Sequence, residues 1–298
     1  MRIGIDLGGT KIEALAIDDA GVEMMRHRVP TPREYGETVA AVAGLVAKLE
    51  GGTGQTATVG VGIPGSISKV TGVVKNSNCL WLNGRPFDVD LSKALEREVR
   101  VENDANCFAI SEATDGAAAG KRVVFGVILG TGCGGGVVVD GRSISGLNGV
   151  GGEWGHNPLP WATAEEYPGP MCFCQKHGCL ERWISGTGVE LDYVTATGIN
   201  LSAREIVEDF HAGKAEAVSV MERFEDRLTR ALAQVINILD PDAIVLGGGL
   251  SNFAHLYDTV PKRLAKYVFG NEAATPVLRA VHGDASGVRG AAWLWPNQ

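Results

Sequence analysis

Positive charge is in deficit here: 27 Lys and Arg stand against 35 Asp and Glu. No basic stripe breaks that balance. A nucleic-acid partner is therefore not expected, because such surfaces neutralise phosphates with clustered Lys and Arg. Long apolar runs are also missing. None nears the roughly 20 residues of a membrane span, so no membrane partner is expected. Met1 to Leu7 enter a strand-like pattern with no basic, then apolar, leader before it, so the expected location is cytoplasmic. Cysteine is scarce, at six residues, yet Cys172, Cys174 and Cys179 fall within eight positions. Without an export signal that spacing reads as metal binding before disulfides. No Gly-x4-Gly-Lys-Ser/Thr phosphate loop occurs either.

Glycine is abundant, at 41 residues, and it clusters. Clustered glycine implies tight turns and close backbone approach to ligands. The 298 residues suffice for one large domain or two modest ones. Strand-like patterns cover Arg2–Asp6, Ile12–Asp18, Ala57–Ile63, Val123–Leu129, Gly136–Asp140 and Ala243–Leu246. Helical spacing covers Thr38–Glu50, Asp90–Glu98 and Asp104–Gly120, with a long helix through Met221, Leu228, Leu232 and Leu239 that stops at Pro241. Apolar strands alternating with helices predict an α/β fold.

Residues 3–18, IGIDLGGTKIEALAID, align without a gap to residues 125–140, FGVILGTGCGGGVVVD. Each copy reads strand, Gly-rich turn, strand. The repeat predicts two homologous lobes facing a cleft, each with a phosphate turn; chance likeness between Gly-rich strands is the alternative. The copies are not equivalent, since Asp6 of the first aligns with Ile128 of the second.

In the first turn Gly8 and Gly9 would let a phosphate approach, while Thr10 and Lys11 supply a hydroxyl and a cation. Asp6 could hold the magnesium of Mg·ATP, through water. A plain hairpin is the competing reading. In the second turn Gly130-x-Gly132-x-x-Gly135 spells a dinucleotide motif, but that motif needs a following helix and Val137–Val139 read as strand. Thr131 and Gly132 are instead assigned to phosphate. Asn103-Asp104 stands where a strand meets a helix. Asp104 could take the proton of an attacking hydroxyl; on position alone it reads first as a helix cap. Cys172, Cys174, Cys179 and His156 would complete a closed tetrahedral zinc site, with His177 a rival ligand by proximity. Asn76, Asn78 and Asn83 around Trp81, after a Gly62-x-Pro64-Gly65-Ser66 turn, suit a sugar's hydroxyls or an ordinary polar loop. Gly247-Gly248-Gly249 ends a strand and would suit adenosine, with Ser251-Asn252 capping a following helix.

Together these motifs resemble the ROK family (repressor, open reading frame, kinase). The resemblance spans the whole length and rests on DLGGTK at 6–11, NDAN at 103–106, GTGCGGG at 130–136, GEWGH at 152–156, CFCQKHGCLE at 172–181 and LGGG at 246–249. NSNCLWLNGRPFD at 76–88, GEWGHNPLPW at 152–161 and HGDASGVRGAAWLWP at 282–296 look like the bacterial mannofructokinases. The resemblance implies a two-lobed, actin-like, hexokinase-type ATPase fold with duplicated sheet cores and a structural zinc site. Its lobes would run over 1–117, rejoined by 286–298, and over 118–285. It implies phosphorylation of a hexose, fructose first and mannose next, with an N-acetylhexosamine or glucose kinase as the alternative and a non-catalytic sugar sensor behind both. Asp104 would be the base. Gly65, Asn78, Asn103, Asp104, Glu153, His156 and Glu181 would surround the sugar. Mg·ATP and one zinc are the implied cofactors, and the family's habit of forming dimers implies a homodimer as an option. One residue departs from the family pattern: Gln175 follows the second cysteine where the family has Gly.

Overall fold

A computed structural model describes residues 1–295. Along the chain, β1 (Arg2–Leu7), β2 (Lys11–Ile17) and β3 (Glu23–Pro30) precede α1 (Tyr35–Thr53). Then come β4 (Thr58–Ile63), the short β5 (Ser66–Ile67) and β6 (Val74–Lys75), α2 (Phe87–Ala94), β7 (Val99–Asn103) and α3 (Asp104–Thr114). After these follow β8 (Val123–Leu129), β9 (Cys133–Val139) and β10 (Arg142–Ser143). The helices α4 (Glu181–Ile184), α5 (Gly186–Thr197), α6 (Ala203–His211) and α7 (Ala215–Leu239) lead to β11 (Ala243–Gly247), α8 (Leu256–Leu264), β12 (Val277–Arg279) and α9 (Ser286–Ala292).

The chain divides into two compact units. The first comprises 1–120, 136–152 and, of the described residues, 284–295; the second comprises 121–135 and 153–283. In the first, a sheet runs β3-β2-β1-β4-β7. β1 pairs antiparallel with β2 and parallel with β4. Ile3, Ile5, Val59, Val61 and Ile63 are fully buried beneath Val42, Val46 and Leu49 of α1. On the opposite face α9 lies close to the backbone. A Cβ at Gly4 would come 1.9 Å from the Val288 carbonyl, and one at Gly60 equally near that of Ala291, so only glycine fits at either position. Of the mannofructokinase-like stretch 282–296, Pro296 lies outside the described residues.

In the second unit β11 pairs parallel with both β8 and β12. The long α7 buries Val220, Met221, Phe224, Leu228 and Leu232 and ends at Asp240, just before Pro241. The hairpin β8–β9 repeats β1–β2 in place as well as in letters. Shifting Lys11–Ile17 by the 122-residue offset of the repeat gives 133–139, the bounds of β9.

Candidate functional site

In the first unit the turn between β1 and β2 is closed by the Gly8 N–H donating to the Lys11 carbonyl at 3.0 Å. It is braced from β3's end, where the Thr31 hydroxyl donates to the Gly8 carbonyl at 2.7 Å. Gly8 and Gly9 do not adopt positive φ. A Cβ at Gly8 would crowd the Lys11 carbonyl at 3.2 Å, whereas one at Gly9 would meet nothing closer than the Cys79 sulfur at 3.9 Å, so the turn's surface at Gly9 stays open. Thr10 is exposed and Lys11 half-buried. The Lys11 ammonium is 3.5 Å from Glu13, a buried carboxylate also held by Arg26 and Arg28.

Asp6 is the penultimate residue of β1, beside this turn. Burial pushes its carboxyl up to about 6, reinforced by the negative charges of Asp104 and Glu13 and opposed by Lys11. A cation near Asp6 would relieve this burial and repulsion, so the position fits a metal-bound phosphate.

At the junction of β7 and α3 the capping task falls to Asn103. Its side-chain oxygen accepts from the N–H groups of Ala105 at 2.9 Å and Asn106 at 3.3 Å. Asp104 is the first helical residue, where the positive end of the helix favours a carboxylate. The reading of Asp104 as the cap is thereby corrected. The Asn103 amide also donates to the Gly65 carbonyl at 3.1 Å. Gly65 itself sits at φ 86°. Among the loop amides, Asn83 is committed to the Ser77 backbone through both its oxygen and its nitrogen. The Trp81 indole donates to Thr38 in the core. Asn78 is exposed.

In the second unit the turn after β8 lies beside the end of the parallel strand β11, and ligands of α/β sheets collect at such carboxyl ends. A strand follows the second turn, which denies it the dinucleotide-binding form. Gly248 is compelled twice: its φ is 81°, and a Cβ there would strike the Leu129 carbonyl at 2.6 Å. Gly247 is buried within β11, whereas Gly249 is exposed. Ser251 and Asn252 belong to a short 3-10 turn, and α8 begins only at Leu256 with His255 before it; their expected role as caps is corrected. Gly130, Thr131, Thr187, Glu190, Gly249 and Phe253 help line a cavity of ≈ 800 Å³. The start of α5 pins the turn here, with the Gly186 N–H donating to the Gly130 carbonyl at 2.7 Å and the Thr187 hydroxyl to that of Thr131 at 2.9 Å. Sequence reasoning missed Thr187 and Glu190. The visible signal was Ser185-Gly-Thr-Gly188, a small-residue helix start whose serine accepts from Gly188 as N-cap.

Glu181 opens α4, and one carboxylate oxygen accepts from the Cys133 N–H at 3.1 Å. That same oxygen occupies the space a Cβ at Gly132 would need. Glu181 thus braces the second turn, a contact its expected sugar role did not include. Glu153 is exposed, next to the 3-10 turn Trp154–His156.

His156, Cys172, Cys174 and Cys179 present ligand atoms that all lie within 4.8 Å of one another. The Cys172 sulfur is 3.6 Å from His156 Nδ1, leaving Nε2 on the ring's other edge. Burial and the neighbouring sulfurs push the Cys179 thiol up to about 12, whereas Cys174, though burial opposes it, is held below its ordinary value by the Lys176 backbone N–H and the sulfurs beside it. Three thiols and one imidazole, with no carboxylate, are a soft tetrahedral donor set, which fits zinc. His177 is exposed and hydrogen-bonded to the Gly169 carbonyl, outside the cluster. Gln175 adopts φ 66°, the left-handed geometry that glycine takes without cost. The turn is preserved and Gln bears the strain. The loop between His156 and Cys172 is fastened to α7 through Glu166, which accepts from Arg227 and Arg230 at 2.9 Å. Burial opposes the Glu166 charge, yet these arginines hold its carboxyl at about 2.

Among the described residues no helix is long and apolar enough to cross a membrane. The chain is 42% identical to an N-acetyl-D-glucosamine kinase of Photobacterium profundum, over 99% of each. It is also 42% identical to one of Yersinia enterocolitica, again over 99% of each. These relatives correct the expected kinship with mannofructokinases. Among solved structures, a ROK hexokinase from Thermus thermophilus superposes with a TM-score of 0.88 at 33% identity, covering 98% of this chain and 96% of that one. The ROK glucokinase of Streptomyces griseus, solved with glucose and AMPPNP, gives 0.77 at 28%, covering 98% of each. The fold is thus the hexokinase-type α/β fold. The ROK family model matches residues 2–298. On that match and those relatives, the chain belongs to the ROK family.

Proposed function

We propose that the protein is an ATP-dependent sugar kinase whose substrate is N-acetyl-D-glucosamine. The observation that carries the kinase reading is Asp104 at the head of α3, directly after the Asn103 cap and with Asp6 close enough to feel its charge. The choice of sugar draws on the two relatives at 42% identity and replaces fructose.

Asp104 accepts the proton of the sugar hydroxyl as it attacks the γ-phosphoryl of ATP. Gly65, Asn78 and Asn103 in the first unit, and Glu153, His156 and Glu181 in the second, are the proposed sugar contacts. Gly8, Gly9, Thr10 and Lys11 cradle phosphate oxygens from one turn, and Thr131 and Gly132 from the other. The ≈ 800 Å³ cavity, with Gly249 on its wall, takes the nucleoside; Gly247 and Gly248 carry the chain from β11 to that wall. Magnesium, when bound, would neutralise charge on the transferring phosphoryl, and Asp6 is the residue that would hold it, through water. Zinc would be held by His156, Cys172, Cys174 and Cys179; all four positions would be filled, so its chemistry is structural and it orients His156.

Asp104→Asn should lower kcat at least ~100-fold with the fold intact, since general-base catalysis typically contributes that much or more. Turnover within a few-fold of the parent, measured by ADP release, would remove Asp104 from this role.

A further inference from the structure

Glu102 is the residue before Asn103, and no role has been given to it above. Both its oxygens are fully engaged. One accepts from the Asn103 N–H at 2.9 Å and the Asn106 amide at 3.0 Å. The other accepts from the Ser143 hydroxyl at 2.9 Å and the Ser145 hydroxyl at 2.6 Å. The serines begin a loop that runs to Gly152 with an exposed apolar tip at Leu147. Its far side is fastened again: the Ser66 hydroxyl donates to the Gly149 carbonyl at 3.1 Å, and the Lys75 ammonium to that of Asn148 at 2.7 Å. Ser66 follows Gly65, whose carbonyl accepts from Asn103. The contacts close a ring: Glu102, Ser145, the loop, Gly149, Ser66, Gly65, Asn103 and back to Glu102. Asp104 is the next residue along the chain from that closure.

We infer that Glu102 is a positioning residue, and that the loop 144–150 it ties down forms a wall of the sugar-binding side of the site. This rests on the sugar-kinase reading above. A charged acceptor with four donors is worth more than any single neutral bond, and its removal leaves the donors unpaired. The loop has glycines at 146 and 149, two more follow at 151 and 152, and most of its residues are exposed, so it has little packing of its own to hold it otherwise. None of the groups assigned to the nucleotide, in the β1–β2 turn or in the second unit, contributes an atom to the ring, so its loss should be felt by one substrate only.

The test is steady-state kinetics of Glu102→Ala and Glu102→Gln, using whichever hexose the parent turns over best, with amide hydrogen exchange of 144–150 in the ligand-free proteins. Glu102→Ala should raise the KM for sugar roughly tenfold or more, lower kcat, and leave the KM for ATP within about twofold. Glu102→Gln keeps an acceptor for Asn103 and a polar group for the serine hydroxyls, so it should recover most of the loss. Exchange in 144–150 should quicken in the alanine variant. Equal rises in both KM values, no change in either, or glutamine as damaging as alanine in a folded protein would overturn the inference. If Glu102→Ala does not fold, Ser143→Ala with Ser145→Ala must give the same one-sided change, and its absence overturns the inference equally. A parent that phosphorylates no hexose refutes the functional reading instead. The exchange experiment then decides the fastening alone, and unchanged exchange would refute it.

Discussion

Asn103 and Asp104 stand side by side at one helix terminus. The Asn103 amide oxygen is the cap, accepting from the Ala105 and Asn106 N–H groups, and Asp104, the first helical residue, shares the Ala105 N–H at 2.8 Å. At Asp6 burial carries an electrostatic cost. An acid that holds its proton more tightly folded than unfolded loses stability as pH rises from its ordinary 3.8 to about 6, and the cost persists above that. Asp6→Asn should therefore stabilise the ligand-free protein above pH 6, by about 2–3 kcal/mol if the whole shift is recovered, and do little below pH 4. Thermal melts across pH 4–8 check this, and the same variant should lose most magnesium-dependent turnover. Single residues were legible where chemistry and spacing agreed, as in His156, Cys172, Cys174 and Cys179, which the fold brings within 4.8 Å of one another. They were illegible where a role depends on a distant partner. Nothing in the order of residues announces that Glu181 braces Cys133, or that Glu102 gathers two serines some 40 positions away.

Elements with strong periodicity were readable: β8 and the end of α7 fall where their patterns predict. The predicted helix over Asp90–Glu98 instead runs Phe87–Ala94, because Val99 must already enter β7. Strand β3 escaped notice since it lies at the sheet's edge, with no residue buried and charges at alternate positions. The turn at Gln175 makes an element-scale prediction. A non-glycine residue held at φ 66° stores local strain, in part repaid by its lower unfolded-state entropy. Gln175→Gly should gain about 1 kcal/mol or less and slow the release of bound zinc to a chelator, with kcat unchanged. Faster release would mean that the glutamine side chain itself stabilises the loop.

For the whole molecule, the internal repeat was the most informative feature of the sequence, because it matched strand bounds as well as letters. The hexokinase-type fold follows from the comparison with its relatives. Substrate identity did not follow from motif likeness: within 76–88, one of the three stretches that resembled the mannofructokinases, Asn83 braces the loop itself and Trp81 is tied to Thr38 of α1. Protein purified under reducing conditions should contain about one zinc per chain, and stripping it should lower the melting temperature before it abolishes nucleotide binding. Metal-free, fully reduced protein with unchanged stability and activity would refute the structural role.

The most direct test of the central claim is a panel of hexoses in an ADP-release assay with magnesium and ATP. N-acetyl-D-glucosamine should give the highest kcat/KM, with fructose and mannose at least roughly tenfold lower. Preference for fructose, or ADP release that no sugar stimulates, would contradict it.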